Sequence, residues 1–292
     1  MNKQPIFIVA VSGGVDSVVL LHKLTSRQTM DQINPPKYVV AHFDHGIRKD
    51  SDKDATLAKE LAKKYGLEFE LGKGELSHSS SEAEARSLRY KFLREVKEKY
   101  NADKIVLAHH QDDLLETMVL NILRGTGPRG LNPMQGYDDL LRPLIHRRKK
   151  ELLDYANEHN LKWNEDSTNS DEKYKRNYVR KNIMPKLEGN VADLLKIRVR
   201  IEEIYHDVDM RLSFLMPKKN VISRYWFLKF PFIVQKEIIR SFLVRCGLED
   251  IDSKTIERLT ISVKTLPIGK KTDISGKLWL KSQKENVLIS SK

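Results

Sequence analysis

Val9-Ala10-Val11-Ser12-Gly13-Gly14-Val15-Asp16-Ser17 is the stretch whose reading decides the fold. The apolar run from Ile6 to Val11 reads as a buried strand and the apolar-periodic stretch from Val18 to Leu24 as a helix, so Ser12 to Ser17 is the turn between them. Gly13 and Gly14 let the backbone come close to a bound group. The first amides of the following helix point outward unpaired, with the positive end of the helix dipole behind them. Anions bind at such a place. Ser12 and Ser17 can add hydroxyl donors, and Asp16 can either cap the helix or hold a divalent cation beside a polyphosphate. The turn has neither the lysine of a G-x-x-x-x-G-K-S/T loop nor the G-x-G-x-x-G spacing.

Outward from this turn the chain alternates strands and helices. Tyr38 to Phe43 reads as a second buried strand delivering His42, Asp44, His45 and Arg48 at its carboxyl end, where a doubly wound sheet places its ligands. Strand alternation points His42 and His45 to opposite faces, which argues against a zinc site. Ser51 and Asp54 open a helix to about Tyr65, stopped by Gly66. Glu68 to Leu71 is a short strand, and Ser81 with Glu84 caps a helix to about Tyr100 that carries Arg86 and Arg89, both open as phosphate contacts. A strand from Lys104 to Ala108 leads into H-H-Q-D-D-L-L-E-T. On the helix from Asp112 to Arg124, Leu114, Leu115, Met118, Val119 and Ile122 share one arc, and Asp112, Asp113, Glu116, Thr117 and Arg124 the opposite one. Asp112 reads as a dipole partner of that helix. Asp113 and Glu116, an anionic pair beside an anion-binding turn, suggest a cationic co-substrate or a metal. Gly125 to Gly130 is expected as a mobile loop with Arg124 and Arg129 available to a phosphate or nucleotide.

Leu140 to Ile145 is a short apolar piece, and a helix opens at Arg147 to Lys150 and reaches about Asn160. From Lys173 to Lys186 run Lys173, Lys175, Arg176, Arg180, Lys181 and Lys186 with no acidic residue between them and with Tyr174 and Tyr178 interleaved, so phosphate neutralisation and base stacking are both on offer. Val191 to Leu215 reads as a long helix, and Phe227, Phe230 and Phe232 are expected to form a small core in the segment beyond it. The expected division is a catalytic domain over 1–186 and a smaller, helix-rich domain over 187–292.

The 292 residues carry 52 Lys and Arg against 40 Asp and Glu, a formal charge of +12 that favours polyanionic partners. The single cysteine, Cys246, excludes an internal disulfide and any multi-cysteine metal cluster built within one chain. The start shows no signal-peptide core and no apolar run reaches about 18 residues, so a soluble, cytoplasmic protein with no membrane association is expected.

S-G-G-V-D-S resembles the signature of the PP-loop ATP pyrophosphatases. Taken with A-H-F-D-H-G-I-R, E-A-E-A-R-S-L-R-Y, H-H-Q-D-D-L-L-E-T, L-R-G-T-G and R-N-Y-V-R-K-N-I-M-P, it follows the order found in the tRNA(Ile)-lysidine synthase family over roughly residues 6 to 186. The resemblance implies an α/β fold with a Rossmann-like, doubly wound, mostly parallel sheet. It also implies an ATP-dependent ligation of free L-lysine to C2 of the wobble cytidine, position 34, of tRNA(Ile) with the CAU anticodon, through an adenylated tRNA, giving lysidine, AMP and pyrophosphate. By that resemblance Ser12, Gly13, Gly14, Val15, Asp16 and Ser17 cradle the phosphates, and Asp16 and Asp44 hold Mg2+. Asp113 and Glu116 hold the lysine ammonium groups, Arg124 faces the activated intermediate, and the basic run Lys173, Lys175, Arg176, Arg180 and Lys181 contacts tRNA. A monomer or homodimer is expected. The competing readings are a thiolating PP-loop enzyme, for which one cysteine is too few, and a nucleotide- or RNA-binding module without turnover, which has no need of Asp113 and Glu116.

Overall fold

A computed structural model describes residues 4–27, 35–46, 51–74, 82–134, 139–165, 175–216, 220–248, 251–276 and 278–291. Arg48, Ser81, Lys173 and Tyr174 lie outside the described residues. Contacts divide the chain into two compact units, Met1–Gly125 with Asn132–Leu194, and Thr126–Leu131 with Leu195–Lys292.

The first unit is α/β. Its strands are β1 (Ile6–Ala10), β2 (Lys37–Asp44), β3 (Glu68–Lys73), β4 (Lys104–Val106) and β5 (Leu140–Leu141), all parallel, in the order β3-β2-β1-β4-β5. The connecting helices are α1 (Val15–Arg27), α2 (Ser51–Lys64), α3 (Glu82–Lys99), α4 (Gln111–Leu123) and α5 (Lys149–Glu158). Strand alternation sorts the core into two layers. Val9, Val40 and Val106 pack with Val18 and Leu21 of α1, Ala58 and Leu61 of α2 and Leu152 and Ala156 of α5. Ile8, Val39, Ala41 and Ile105 pack on Leu93 and Val96 of α3. Each such fully buried aliphatic side chain stabilises the fold by roughly 1.5–3 kcal/mol, and a central strand apolar on both faces needs helices on both sides, which is why the sheet is doubly wound.

The order has a consequence for ligands. The chain leaves β1 for β2 on one side and later returns to place β4 on the other, so the sheet reverses direction between β1 and β4. The loops leaving the carboxyl ends of those two strands separate there and open a crevice. One of these loops is the glycine turn and the other carries H-H-Q-D-D.

After α5 come two single turns, α6 (Lys175–Tyr178) and α7 (Met184–Leu187), joined by a π-helical turn over Val179–Ile183, and then α8 (Val191–Leu215). Val179, Ile183, Met184 and Leu187 pack on Val119 and Leu120 of α4.

The second unit is helix-rich, with α9 (Arg224–Leu228), α10 (Phe232–Arg245) and α11 (Ser253–Thr265). It also contains an antiparallel sheet of β6 (Val221–Ser223), β7 (Lys271–Asp273), β8 (Leu278–Ser282) and β9 (Asn286–Ser291) in the order β6-β9-β8-β7. Its core joins Phe227, Ile238, Phe242, Leu259, Val263, Leu280 and Val287. Phe227 is fully buried and Phe230 partly so, but Phe232 is not in this core. It is exposed at the start of α10 with the ammonium groups of Lys236 and Lys264 over its ring. Arg129 also differs from expectation: in place of a mobile loop, Pro128–Leu131 forms a 3-10 turn. The Arg129 guanidinium makes paired bonds of 2.9 and 2.8 Å to Asp209, donates to Glu237 at 2.7 Å and lies 4.1 Å from the Tyr205 ring. Burial works against its charge, and the two carboxylates outweigh that and raise its pKa. Committed in this way, it is not offered to a phosphate. No helix among the described residues is long and apolar enough to cross a membrane.

Candidate active site

The glycine turn is tied down from three sides. Val11 N–H donates to the Ala41 carbonyl (3.0 Å), and the buried His42 ring bonds the Val11 carbonyl through Nδ1 at 2.7 Å, which ties β2 to the turn. Gly13 has φ +88°, and an added Cβ would lie 2.9 Å from Asp54 Oδ1. Asn164 closes this contact by donating its backbone N–H to the Gly13 carbonyl (3.0 Å) and its side-chain amide to Asp54 Oδ1 (2.8 Å). Within the turn, Ser17 Oγ–H donates to the Gly14 carbonyl (2.8 Å), while Ser12 N–H and Ser12 Oγ–H both reach Ser17 Oγ (3.1 and 3.3 Å). The two hydroxyls therefore brace the loop. Val15 and Ser17 are buried, Gly14 and Asp16 half-buried, and Ser12 exposed.

Across the crevice, α4 begins with a capping box. Asp113 N–H donates to His110 Nδ1 (3.4 Å) and His110 N–H to Asp113 Oδ2 (3.0 Å), which satisfies two orphan donors and fixes both side chains at the helix start. His110 Nε2 then stands 3.5 Å from Asp113 Oδ2 and 3.7 Å from Asp16 Oδ2. Asp112 turns away to a different partner: it accepts from Arg148 Nε (3.0 Å) and from the backbone N–H of Lys149 (2.6 Å), bolting the start of α5 to the start of α4. Lys149 Nζ in turn contacts both oxygens of Asp16 at 2.7 and 2.8 Å.

Glu116, one turn further along α4, is almost wholly buried, with 2% exposed. It is covered by Arg180, whose Nε and Nη2 donate at 2.7 and 3.0 Å, and by Arg176, whose Nε donates at 3.1 Å. The bond to Glu116 raises the Arg180 pKa further. Asp16, His110, Asp113, Glu116, Lys149 and Arg180 thus line one cavity of about 400 Å3. A larger hollow of about 790 Å3, beside α2 and Trp163, is more open and lacks this clustering of carboxylates at the strand ends.

The structure brings together the glycine turn, Asp16, Asp113, Glu116 and Arg180. Arg176 joins them through Glu116, while Lys175, Tyr178 and Lys181 lie on the exposed face of the same turns. Asp44 ends β2, buried, and accepts from Gly46 N–H at 2.9 Å. Arg124 is placed apart: it is the exposed C-cap of α4, eight residues and so roughly 12 Å along the axis from Glu116. Ile122 is exposed as well, while Glu116 is buried, so the two arcs of α4 do not divide as inside and outside. Sequence reasoning missed Lys149, Arg148, Asp54 and Asn164, none of which sits in a motif that declares its partner.

His109 immediately precedes the cap residue of α4. Its Nδ1 is buried with no hydrogen-bond partner among the described residues. Burial, then Arg142, Arg86, Arg89 and Arg176, hold its pKa well below the usual 6.5. The group is neutral in the folded chain at pH 7, whereas the unfolded chain takes up a proton below about pH 6.5. Stability is therefore complete above pH 6.5 and declines below it, by up to about 1.4 kcal/mol per pH unit for this one group. Urea unfolding of the wild type should show that decline between pH 6.5 and 5.5, and H109Q should flatten it.

Comparison with known proteins gives a consistent picture. The family model of the PP-loop domain matches residues 2–187. A tRNA(Ile)-lysidine synthase from Clostridium tetani is 35% identical over 225 residues, which is 74% of this chain and 47% of that protein. One from Thermotoga sp. strain RQ2 is 33% identical over 248 residues, 81% of this chain and 58% of that protein. The chain thus spans about half the length of these curated relatives. Among solved structures, the U34-tRNA thiolase NcsA from Methanococcus maripaludis with its 4Fe-4S cluster superposes with a TM-score of 0.58 at 18% identity, covering 70% of this chain and 73% of that one, a likeness of fold.

Proposed function

Because the chain belongs to the PP-loop domain family, we propose that it is an ATP-dependent ligase that joins free lysine to C2 of cytidine 34 in tRNA(Ile) with the CAU anticodon. The reading is supported by the curated relatives and above all by one observation: a glycine turn at a helix N-terminus and a pair of carboxylates, Asp113 and Glu116, share a single crevice at the switch point of the sheet. A nucleotide triphosphate and an ammonium compound are the two ligands such a crevice suits.

In the proposed reaction the C2 oxygen of the cytosine attacks the α-phosphate of ATP, forming the O–P bond and releasing pyrophosphate. The lysine amine then forms the N–C2 bond, the C2–O bond breaks, and AMP leaves. Activation is needed because a carbonyl oxygen is a poor leaving group and an AMP oxygen a good one. A single-stranded anticodon base is cheap to turn into a pocket. The backbone amides of Gly13, Gly14, Val15 and Asp16, with the Ser12 and Ser17 hydroxyls bracing them, receive the phosphates.

Among the described residues no three His, Cys, Asp or Glu side chains are grouped to hold a metal by themselves. Mg2+ bound with a polyphosphate needs only one or two carboxylates. Asp16 is a half-buried carboxylate that already holds a cation, the Lys149 ammonium, and Asp16 with Asp44 are the residues that would hold Mg2+. The ion would offset charge on the departing pyrophosphate.

Asp113, aimed by His110, is assigned to the lysine ammonium, and Glu116 joins it when Arg176 and Arg180 turn to another anion. RNA phosphate is that anion. Lys175 and Lys181, with Tyr178 between them, supply the outer tRNA contacts, residues 187–292 a further RNA surface, and Arg124 a contact to the adenylated base. The modified tRNA would read AUA in place of AUG and carry Ile identity in place of Met. A cytoplasmic monomer or homodimer completes the proposal.

The test mixes the purified protein with ATP, labelled lysine and tRNA transcript. Lysine should enter RNA with one pyrophosphate released per lysine, and a transcript carrying U34 should be inert. Pyrophosphate released without lysine entering RNA would refute the ligase, and ATP bound with no turnover would favour a binding module.

A further inference from the structure

The glycine turn lacks the lysine of a G-x-x-x-x-G-K-S/T loop, and the fold places one beside it from a distant part of the chain. We propose that Lys149 is a phosphate-binding residue, the cation that neutralises the pyrophosphate portion of ATP. The assignment rests on the reading that this crevice takes ATP.

Three observations carry it. The position of Lys149 is built: it is the first residue of α5, its backbone N–H is held by Asp112 at 2.6 Å, and Arg148 clamps the same carboxylate with Nε at 3.0 Å and Nη2 at 2.9 Å. Behind it, Leu152 and Ala156 anchor α5 in the core with α1, the helix that leaves the glycine turn. From that base the side chain reaches across to Asp16 of α1, with Nζ 2.7 and 2.8 Å from its oxygens.

The ammonium is also free to change partner. The Lys149 side chain is 39% exposed and lines the same cavity as Asp16, His110 and Asp113. A pair this open is worth little as a structural bond. A triphosphate brings several negative charges to the turn and competes directly with one carboxylate for the ammonium. Asp16 is then released, as it must be to meet a divalent cation. In the absence of nucleotide the same pair keeps the bare Asp16 carboxylate from repelling an arriving phosphate. The nearest alternative is that Lys149 does only this, neutralising Asp16 without touching a phosphate.

The two roles separate in a double-mutant cycle. Binding of ATP, inorganic pyrophosphate and adenosine to the full chain is measured by calorimetry in the presence of a chelator, so that no divalent cation enters. Loss of one charge-assisted contact should weaken ATP and pyrophosphate about 10- to 100-fold in K149A, with adenosine unchanged and K149R close to wild type. In a D16A background K149A should cost ATP a similar factor again. Equal ATP affinity of D16A and D16A/K149A, or equal loss for adenosine and ATP, would overturn the assignment. ATP bound equally by wild type and K149A would overturn it while leaving the PP-loop reading intact, and a wild type that binds no ATP would overturn both.

Discussion

Gly13→Ala should abolish ATP-dependent pyrophosphate release and destabilise the first unit by roughly 2–4 kcal/mol. Two costs combine. An alanine at φ +88° is held in a conformation that L side chains avoid, worth about 1–2 kcal/mol. Its Cβ would also meet Asp54 at Oδ1 (2.9 Å), Cβ (3.1 Å) and Cα (3.2 Å). Asp54 cannot swing aside cheaply, because Asn164 holds Oδ1 and at the same time holds the Gly13 carbonyl. The loop must shift, and a misplacement of about 1 Å at a reacting centre costs on the order of 100-fold in rate. Urea unfolding and a pyrophosphate-release assay read the two effects. D54G in the G13A background should restore part of the stability by removing the clash, and the cost of the positive φ should persist. Gly14→Ala is the internal control for the fold: its nearest neighbour would be Ser12 Oγ at 3.6 Å and its φ is ordinary, so unfolding should be near wild type. A G13A protein as stable and active as wild type would show that the turn is not held as described.

Glu116→Ala should be the other severe change, and its effects should divide between stability and the second half-reaction. Removing one partner of a buried ion pair typically costs about 3–5 kcal/mol, and here two guanidinium groups, Arg176 and Arg180, lose the carboxylate they share. Glu116→Gln keeps the shape and an accepting oxygen, so its stability loss should be smaller. If Glu116 also receives the lysine ammonium, E116Q should raise KM for lysine by about 10- to 100-fold, the worth of one charge-assisted contact, with pyrophosphate release from ATP and tRNA largely retained. An unchanged KM for lysine in a folded E116Q protein would leave Glu116 with the structural role alone and the ammonium to Asp113.

The same residue shows where reading the sequence stops. Period and pattern placed Asp113 and Glu116 correctly on one helix near a strand's carboxyl end, because i and i+3 are neighbours on any helix whatever surrounds it. They could not show that Glu116 is buried, since its cover comes from Arg176 and Arg180, 60 and 64 residues further along the chain. The basic run was legible as charge. That its arginines turn inward while Lys175 and Lys181 face outward depends on a π-helical turn packed on α4, a local geometry that leaves no periodic trace. Arg129 is the converse case: a glycine-rich surround suggested a free guanidinium, and Asp209 and Glu237 hold it.

The sequence by itself determined the alternation of strands and helices through α5, the extent of α8, and the glycine turn that joins β1 to α1. Those follow from apolar period, capping residues and glycine conformation, which are properties of neighbours in the chain. Tertiary structure alone decided the sheet order, the second unit's antiparallel sheet with its three- to six-residue strands, and the partners of every charged group in the crevice. Short strands carry too few residues to show a period, and a charge finds its counterion through space, so Lys149 could meet Asp16, 133 residues away, only once α1 and α5 shared a core.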